Sequence, residues 1–434
     1  MGKERIMLMR VVKAFLVAAT VMAATLLPST MAESQQGEGH WVSAWGAAPH
    51  APLQFPGLPP VPTYEKQTLR MVVRPTIGGD RLRIRFSNAF GTSALKIGAA
   101  HAALVDRGSK IVAASDRELT FGGEKSIVIP PGAPALTDTI SLDVPAFAEI
   151  AVSIFLPEKS AAATTHLLGQ HETYVAGPGD LTGQVELQNT TANHTWLWLA
   201  GVEMWAPART GTIVTLGDSI TDGFGAKQGE YHDWPDQLAK RLAEVGSNNL
   251  AVVNEGIGGN RILHDGAGVS ALTRFDRDVL SQPGVSKLIL LEGINDVGWP
   301  HMKLPKDMDQ SRVKLPDLSE EDVTANDLIM GMRQIIERAH EHGIRVFGAT
   351  ILPFEGANYF SDRGETTRQA VNQWIRTSGA FDGVIDFDAA LRDPDHPSRF
   401  REAYQMGDHL HPSESGYKAM ADDVDLSLFK PGGQ

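Results

Sequence analysis

The pattern of apolar and polar positions changes character once along the chain. Up to about Trp205 the period is two. Arg81-Leu-Arg-Ile-Arg-Phe86 alternates strictly and Thr195-Trp-Leu-Trp-Leu199 more loosely, as half-buried strands do. Turn-forming clusters stand between such runs: Gly78-Gly-Asp80, Gly122-Gly123, Pro130-Pro-Gly132 and Gly177-Pro-Gly-Asp180. Many short strands punctuated in this way predict an all-β sandwich, jelly-roll-like, over residues 40–205. The Pro-rich stretch Gln54–Pro62 is expected as a surface loop.

Beyond the connector Ala206–Gly211, compact apolar runs alternate with helical faces. Strands are predicted at Thr212–Leu216, Leu250–Val253, Lys287–Leu291, Arg345–Thr350 and Gly383–Phe387. Helices are predicted near Trp234–Val245, Thr324–His342 and Thr366–Ser378, and after Pro412. In Thr324–His342 the residues Leu328, Ile329, Met332, Ile335, Ile336 and Ala339 share one face, and Gly343 is placed as a stop. Alternating β and α over residues 211–430 implies α/β architecture: a three-layer α/β/α domain around a parallel sheet. The charged, Pro-punctuated stretch His301–Asp322 is expected as an inserted loop.

Composition sharpens the picture at three points. The 434 residues leave room for two or three domains, and 42% hydrophobic with 21% charged is an ordinary globular balance. Residues 1–32 have a basic start (Lys3, Arg5, Arg10, Lys13), an apolar run from Ala14 to Leu27 and a small-x-small end at Thr30-Met-Ala32. That is the pattern of a cleaved signal peptide, so the mature protein is expected to be secreted or periplasmic, without stable membrane insertion. The apolar run is shorter than the ~20 residues of a spanning helix. There is no cysteine, which removes disulfides, thiol catalysis and thiolate metal sites together. The net charge is −13, and it becomes −16 (35 basic, 51 acidic) once the leader is gone. Such a surface gains nothing from counterion release on a nucleic acid and is repelled by anionic membrane. Small-molecule or polysaccharide substrates fit better.

Ligands of an open parallel sheet bind beyond the carboxyl ends of its strands. Four segments stand there or late in the chain: Gly217-Asp-Ser-Ile220, Asn254-Glu-Gly-Ile-Gly-Gly-Asn260, Glu292-Gly-Ile-Asn-Asp296 and Asp408-His-Leu-His-Pro412. Each alone is a common turn or cap. Together they supply a serine, an imidazole with a carboxylate three residues away, and amide donors. No His-Glu-x-x-His helix is present, and His340 and His342 do not share a helix face, so no metal is expected. No P-loop Lys-Ser/Thr pair follows the glycines, so no nucleotide cofactor is expected either.

From Gly211 to Ala421 the chain resembles the SGNH hydrolase superfamily, the GDSL-type esterases and lipases. The first block ends in Ile220 rather than Leu, an apolar exchange that leaves the chemistry intact. The resemblance implies an SGNH/flavodoxin-like fold and carries the family's four defining residues onto Ser219, Gly259, Asn295 and His411. It implies a carboxylic ester hydrolase without cofactor. Ser219 would be the nucleophile and His411 the base, with Asp408 fixing its tautomer. The N–H groups of Ser219 and Gly259 and the Asn295 amide would form the oxyanion hole. His409 is the rival base and Gly258 the rival donor; Pro412 after His411 favours the latter as the family's histidine. Asp218 and Asp296 are expected to organise loops. Trp299, His301 and His264 follow these blocks and are candidate pocket residues. Some members carry a β-sandwich ahead of the hydrolase domain and act on acetylated carbohydrate, which makes a short-chain sugar ester a plausible substrate. Acyl transfer by the same site, or a carbohydrate-binding adhesin, remain the alternatives.

Overall fold

The computed structural model describes residues 39–53, 60–303 and 317–430. The expected leader, most of the Pro-rich stretch and the middle of the loop 301–322 lie outside the described residues. From Gly39 to Pro207 the strands form two main antiparallel sheets. One runs in the order Gly39–Gly46, Leu199–Pro207, Gly79–Ser87, Pro134–Leu136, with Ile140–Val144 also paired to Gly79–Ser87. The other is centred on Gln67–Val73, Ile150–Leu156 and Ala99–Arg107. The alternation in Arg81–Phe86 has its expected cause: Leu82, Ile84 and Phe86 are fully buried while the three arginines between them are partly exposed. They meet Leu69, Met71, Ile150, Val152 and Ile154 of the second sheet in one core. Thr195–Leu199 is not the single strand that its pattern predicts. Trp198 sits at φ +58° and splits it into Trp196–Leu197 and the long strand from Leu199.

From Gly211 five parallel strands follow: β1 (Gly211–Gly217), β2 (Leu250–Gly256), β3 (Val285–Leu291), β4 (Arg345–Ala349) and β5 (Gly383–Ile385). Their order is β2-β1-β3-β4-β5, so the chain steps one way from β1 to β2 and the other way thereafter. Right-handed crossovers then place the first connection on one face and the later ones on the opposite face. Accordingly Trp234–Glu244 packs with Glu414–Asp423, while Ala325–Glu341 packs with Asp362–Thr377. The helix Ala325–Glu341 opens on a capping box between Thr324 and Asp327, and Gly343 follows its end at φ +70°. The helix expected from Thr366 starts earlier, at Asp362, because the Ser361 side chain accepts from Gly364 N and caps the new first turn.

His40–Gln434 is one compact unit, and the β region is joined to the parallel sheet by specific bonds. Thr76 Oγ1 both donates to the carbonyl and accepts from the N–H of Val252, each at 3.0 Å. Ser43 N donates to Pro283 O at 2.8 Å, Thr212 Oγ1 donates to Ser43 O at 3.0 Å, and Ala251 of β2 is buried in the sandwich core. Among the described residues no helix is long and apolar enough to cross a membrane. We expect the two regions to melt together in scanning calorimetry, because separating them would strip these buried polar groups of partners. Two resolved transitions would contradict this.

Candidate active site

β1 is buried throughout and ends at Gly217, where a side chain would overlap Thr221 and the Leu291 carbonyl. Asp218 then caps a single helical turn, Ser219–Asp222, by accepting from Ile220 N at 2.9 Å, and Gly223 closes that turn at φ +94°. Ser219 therefore stands at the carboxyl end of β1 at the sheet's reversal point. Its Oγ lies 2.9 Å from His411 Nε2, and His411 Nδ1 lies 2.6 Å from Asp408 Oδ2. The other Asp408 oxygen accepts from the N–H groups of His411 (2.9 Å) and Leu410 (3.0 Å), so one short loop orients both partners. Half-burial alone would raise the pKa of Asp408; the His411 ring and these two N–H bonds carry it down to about 2. The Phe224 ring packs 4.4 Å from the imidazole. His409 is exposed at φ +59° and packs against Gly356, away from Ser219.

The loop after β2 supplies two adjacent glycines with different fates. Gly258 N donates to Asp222 Oδ2 at 2.8 Å. The N–H groups of Ser219 and Gly259 have no protein acceptor among the described residues. Gly259 is at φ +79°, and a Cβ there would come within 2.9 Å of the Trp299 ring. Asn295, after β3, donates from Nδ2 to Asn260 O at 2.9 Å, which leaves one amide hydrogen uncommitted, and Tyr359 OH donates to its Oδ1 at 3.3 Å. Tyr359 is buried, and burial holds its phenol far above its ordinary pKa, so it remains a donor. Asp296 accepts from Ile262 N (2.8 Å) and Leu263 N (3.0 Å), the loop-organising role expected of it.

Beneath these loops lies a buried cation. Arg274 donates to the carbonyls of Gly217 (2.9 Å) and Glu255 (2.6 Å), to Asn260 Oδ1 (2.8 Å) and to Asp278 (3.2 Å). It thereby ties together the ends of β1 and β2. Besides Asp278, three buried carboxyls feel its charge: burial nonetheless raises Asp218 to about 7 and pushes Glu255 and Glu292 well above the usual range; Asp296, buried nearer Arg261, is raised to about 6.

Ser219, His411, Gly258, Gly259 and Asn295 open onto a cleft of about 310 Å³. Its lining includes Trp299, Tyr359 and Ala267 and, from the β region, Leu53, Leu167 and Leu168. Of the three expected pocket residues only Trp299 lines it. His301 turns toward Asp322 (3.4 Å), and the side chain of His264 is half-exposed outside the cleft.

Residues 215–419 match the model of the GDSL-like lipase/acylhydrolase family. They form a GDSL-like lipase/acylhydrolase domain. The acetylxylan esterase Axe2 from Geobacillus stearothermophilus aligns at 21% identity over 51% of this chain and 95% of its own, with a TM-score of 0.37. LAE5, an alpha/beta hydrolase enzyme from the metagenome of Lake Arreo, aligns at 19% identity over 49% of this chain and 92% of its own, with a TM-score of 0.35. None of the curated proteins matches the chain.

Within the GDSL-like domain, Tyr359 and Arg274 carried no signal in the sequence, since each acts through a contact far from its own segment. Tyr359 holds the Asn295 amide with its oxygen turned to the phenol and its nitrogen to Asn260 O. Tyr359→Phe should lower kcat for a simple ester about 2- to 12-fold, the worth of one neutral hydrogen bond, with KM little changed. A loss confined to KM would overturn that role.

The buried carboxyls set a pH dependence of stability. Their folded pKa values lie above the unfolded ones, so their contribution is full below about pH 4 and is lost as pH climbs through 6 and 7. Asp408 has the opposite sign, and its contribution fades only as pH falls toward 2. The melting temperature should therefore be higher at pH 5 than at pH 8, by circular dichroism; a rise across that interval would contradict the assignment.

Proposed function

We propose that the chain is an exported serine carboxylic ester hydrolase working through an acyl-enzyme. The observation that carries the reading is the hydrogen-bonded line from Ser219 Oγ through His411 to Asp408, which meets the uncommitted donors in one cleft. A serine hydroxyl is a weak nucleophile until a base removes its proton. Here Ser219 Oγ attacks the ester carbonyl carbon as its proton passes to His411 Nε2. Asp408 keeps Nδ1 protonated and stabilises the imidazolium. The oxyanion forms against the N–H groups of Ser219 and Gly259 and the free Asn295 amide hydrogen. Collapse breaks the bond to the alcohol, which leaves with the His411 proton. Water then attacks the acyl-serine, gives a proton to His411, and the acid departs as Ser219 regains its hydrogen.

A short acyl group suits the cleft. The Trp299 ring stands against Gly259, so a chain lying beside the donors soon meets a wall. With p-nitrophenyl esters of increasing length, turnover should be highest for acetate or propionate. Ser219→Ala should lose nearly all of it, on the ~10⁶-fold scale of single triad deletions. The wild type should be labelled once by a fluorophosphonate, at Ser219. An undiminished Ser219→Ala rate would sink the assignment.

A further inference from the structure

The one-turn helix that carries Ser219 also carries Asp222, and Asp222 joins three segments. Its Oδ2 accepts from Gly258 N at 2.8 Å, which fixes the glycine loop next to the serine. Its Oδ1 lies 2.9 Å from Nε2 of His166, which belongs to the β region. Both side chains are about 4% exposed. His166 is itself held rigidly, since its strand pairs with Trp196–Leu197 and its ring stacks on Trp196 at 5.5 Å. Two neighbours in the same segment add to the grip. Gln170 Nε2 donates to the carbonyls of Asp222 (2.9 Å) and Gly223 (3.2 Å), and Leu168 packs against Gly258.

The protonation of His166 follows from its partners. Nδ1 faces the Ala48 carbonyl at 3.0 Å and Nε2 faces the Asp222 carboxylate, and both of these can only accept. Two hydrogen bonds of this kind need a proton on each ring nitrogen, which makes the group an imidazolium. Burial works against the charge, but the Asp222 carboxylate and the two bonds outweigh it, and the net shift is upward. The other charged or titratable groups around it do not supply that charge balance. Arg274 acts in the opposite direction. His50, 5.9 Å away ring to ring, is held neutral with a pKa of about 4, donating from Nδ1 to Ala51 O and accepting Leu167 N at Nε2. Arg74, Tyr231, Asp233 and Asp236 share with His166 a small cavity of about 40 Å³, where Arg74 and Asp236 pair with each other at 2.8 Å.

We propose that His166 is a positioning residue for the esterase: as a buried imidazolium it holds Asp222, and through Asp222 the Gly258-Gly259 donor loop, in register with Ser219. The inference rests on the serine-esterase reading. It turns the β region from an appended module into a working part of the oxyanion hole. Because the shift is upward, the clamp is complete below the ordinary histidine range and is lost as pH rises through the elevated pKa.

Two measurements on the full chain test it. In ¹⁵N-histidine NMR of the wild type, the His166 ring should stay doubly protonated at neutral pH and lose a proton only in the alkaline range. A singly protonated ring at pH 7 would overturn the proposal whatever the activity is. In kinetics with p-nitrophenyl acetate, His166→Gln should lower kcat about 10- to 100-fold, as small displacements of an oxyanion donor do, with KM within about twofold. The alkaline fall of the wild-type kcat should vanish in this variant. Asp222→Asn should give a like loss, and the double variant should be no worse than either. Additive losses, or an unchanged kcat in a folded His166→Gln protein, would overturn the clamp. A wild type that neither turns over nor takes up fluorophosphonate would instead fail the esterase reading, and the NMR result would still decide the state of His166.

Discussion

The contact between Ser219 Oγ and His411 Nε2 joins residues 192 positions apart, and at 2.9 Å it tolerates little error on either side. Much of the fold can be understood as what keeps that distance. The order β2-β1-β3 puts the ends of three strands side by side, so the serine, the glycine loop and Asn295 reach one spot without any long excursion of chain. The histidine arrives from the far end of the sequence on a short loop whose Met406 N–H bonds back to the His411 carbonyl. It is steadied by Asp408 on one side and the Phe224 ring on the other. On the proposed esterase reading, a positioned base contributes only while it stays within reach of the proton that it takes, so the caps and tight glycines around the turn would serve the chemistry.

Holding three strand ends together leaves carbonyl oxygens without sheet partners, and Arg274 answers them with a single planar donor group. A guanidinium suits this place because its fork of N–H groups can meet several acceptors at fixed angles. A buried cation must be compensated, and acidic groups surround it. Burial drives several of those acids toward their neutral forms, so the cluster carries less net negative charge than its formula suggests. The site floor is thus rigid and polar, and the charge of Arg274 is met within it.

What the sequence made legible follows from locality. Parallel strands buried on both faces read as short apolar runs, and all five are legible in that way, though the run that marks β2 puts its carboxyl end at Val253 rather than Gly256; three of the four candidate blocks follow such ends. Helix Ala325–Glu341 announced itself through its one-sided apolar face and trailing glycine. Three kinds of feature escaped. Trp198 adopts a positive φ that no pattern of apolar residues encodes. The start at Asp362 depended on a serine cap before a polar stretch. Tyr359, Arg274 and His166 act across the fold, and a lone tyrosine, arginine or histidine has no period. His264 and His301 failed for the complementary reason: nearness in sequence to Gly259 and Asn295 does not aim a side chain into the cleft.

The adjacent glycines 258 and 259 show how the two regions divide one task. At Gly259 the backbone conformation, φ +79°, already disfavours any side chain, and the Trp299 ring of the GDSL-like domain fills the space where one would go. At Gly258 the obstacle is Leu168, whose Cδ1 would lie 2.9 Å from an added Cβ, and Leu168 comes from the β region. The N–H of Gly258 is spent on Asp222, whereas the next N–H, that of Gly259, has no protein acceptor among the described residues. One glycine is therefore required by its own backbone conformation and the domain's packing, while the other is crowded by a neighbour outside it. The donor loop thus touches both regions, and the same leucine that crowds it also lines the cleft.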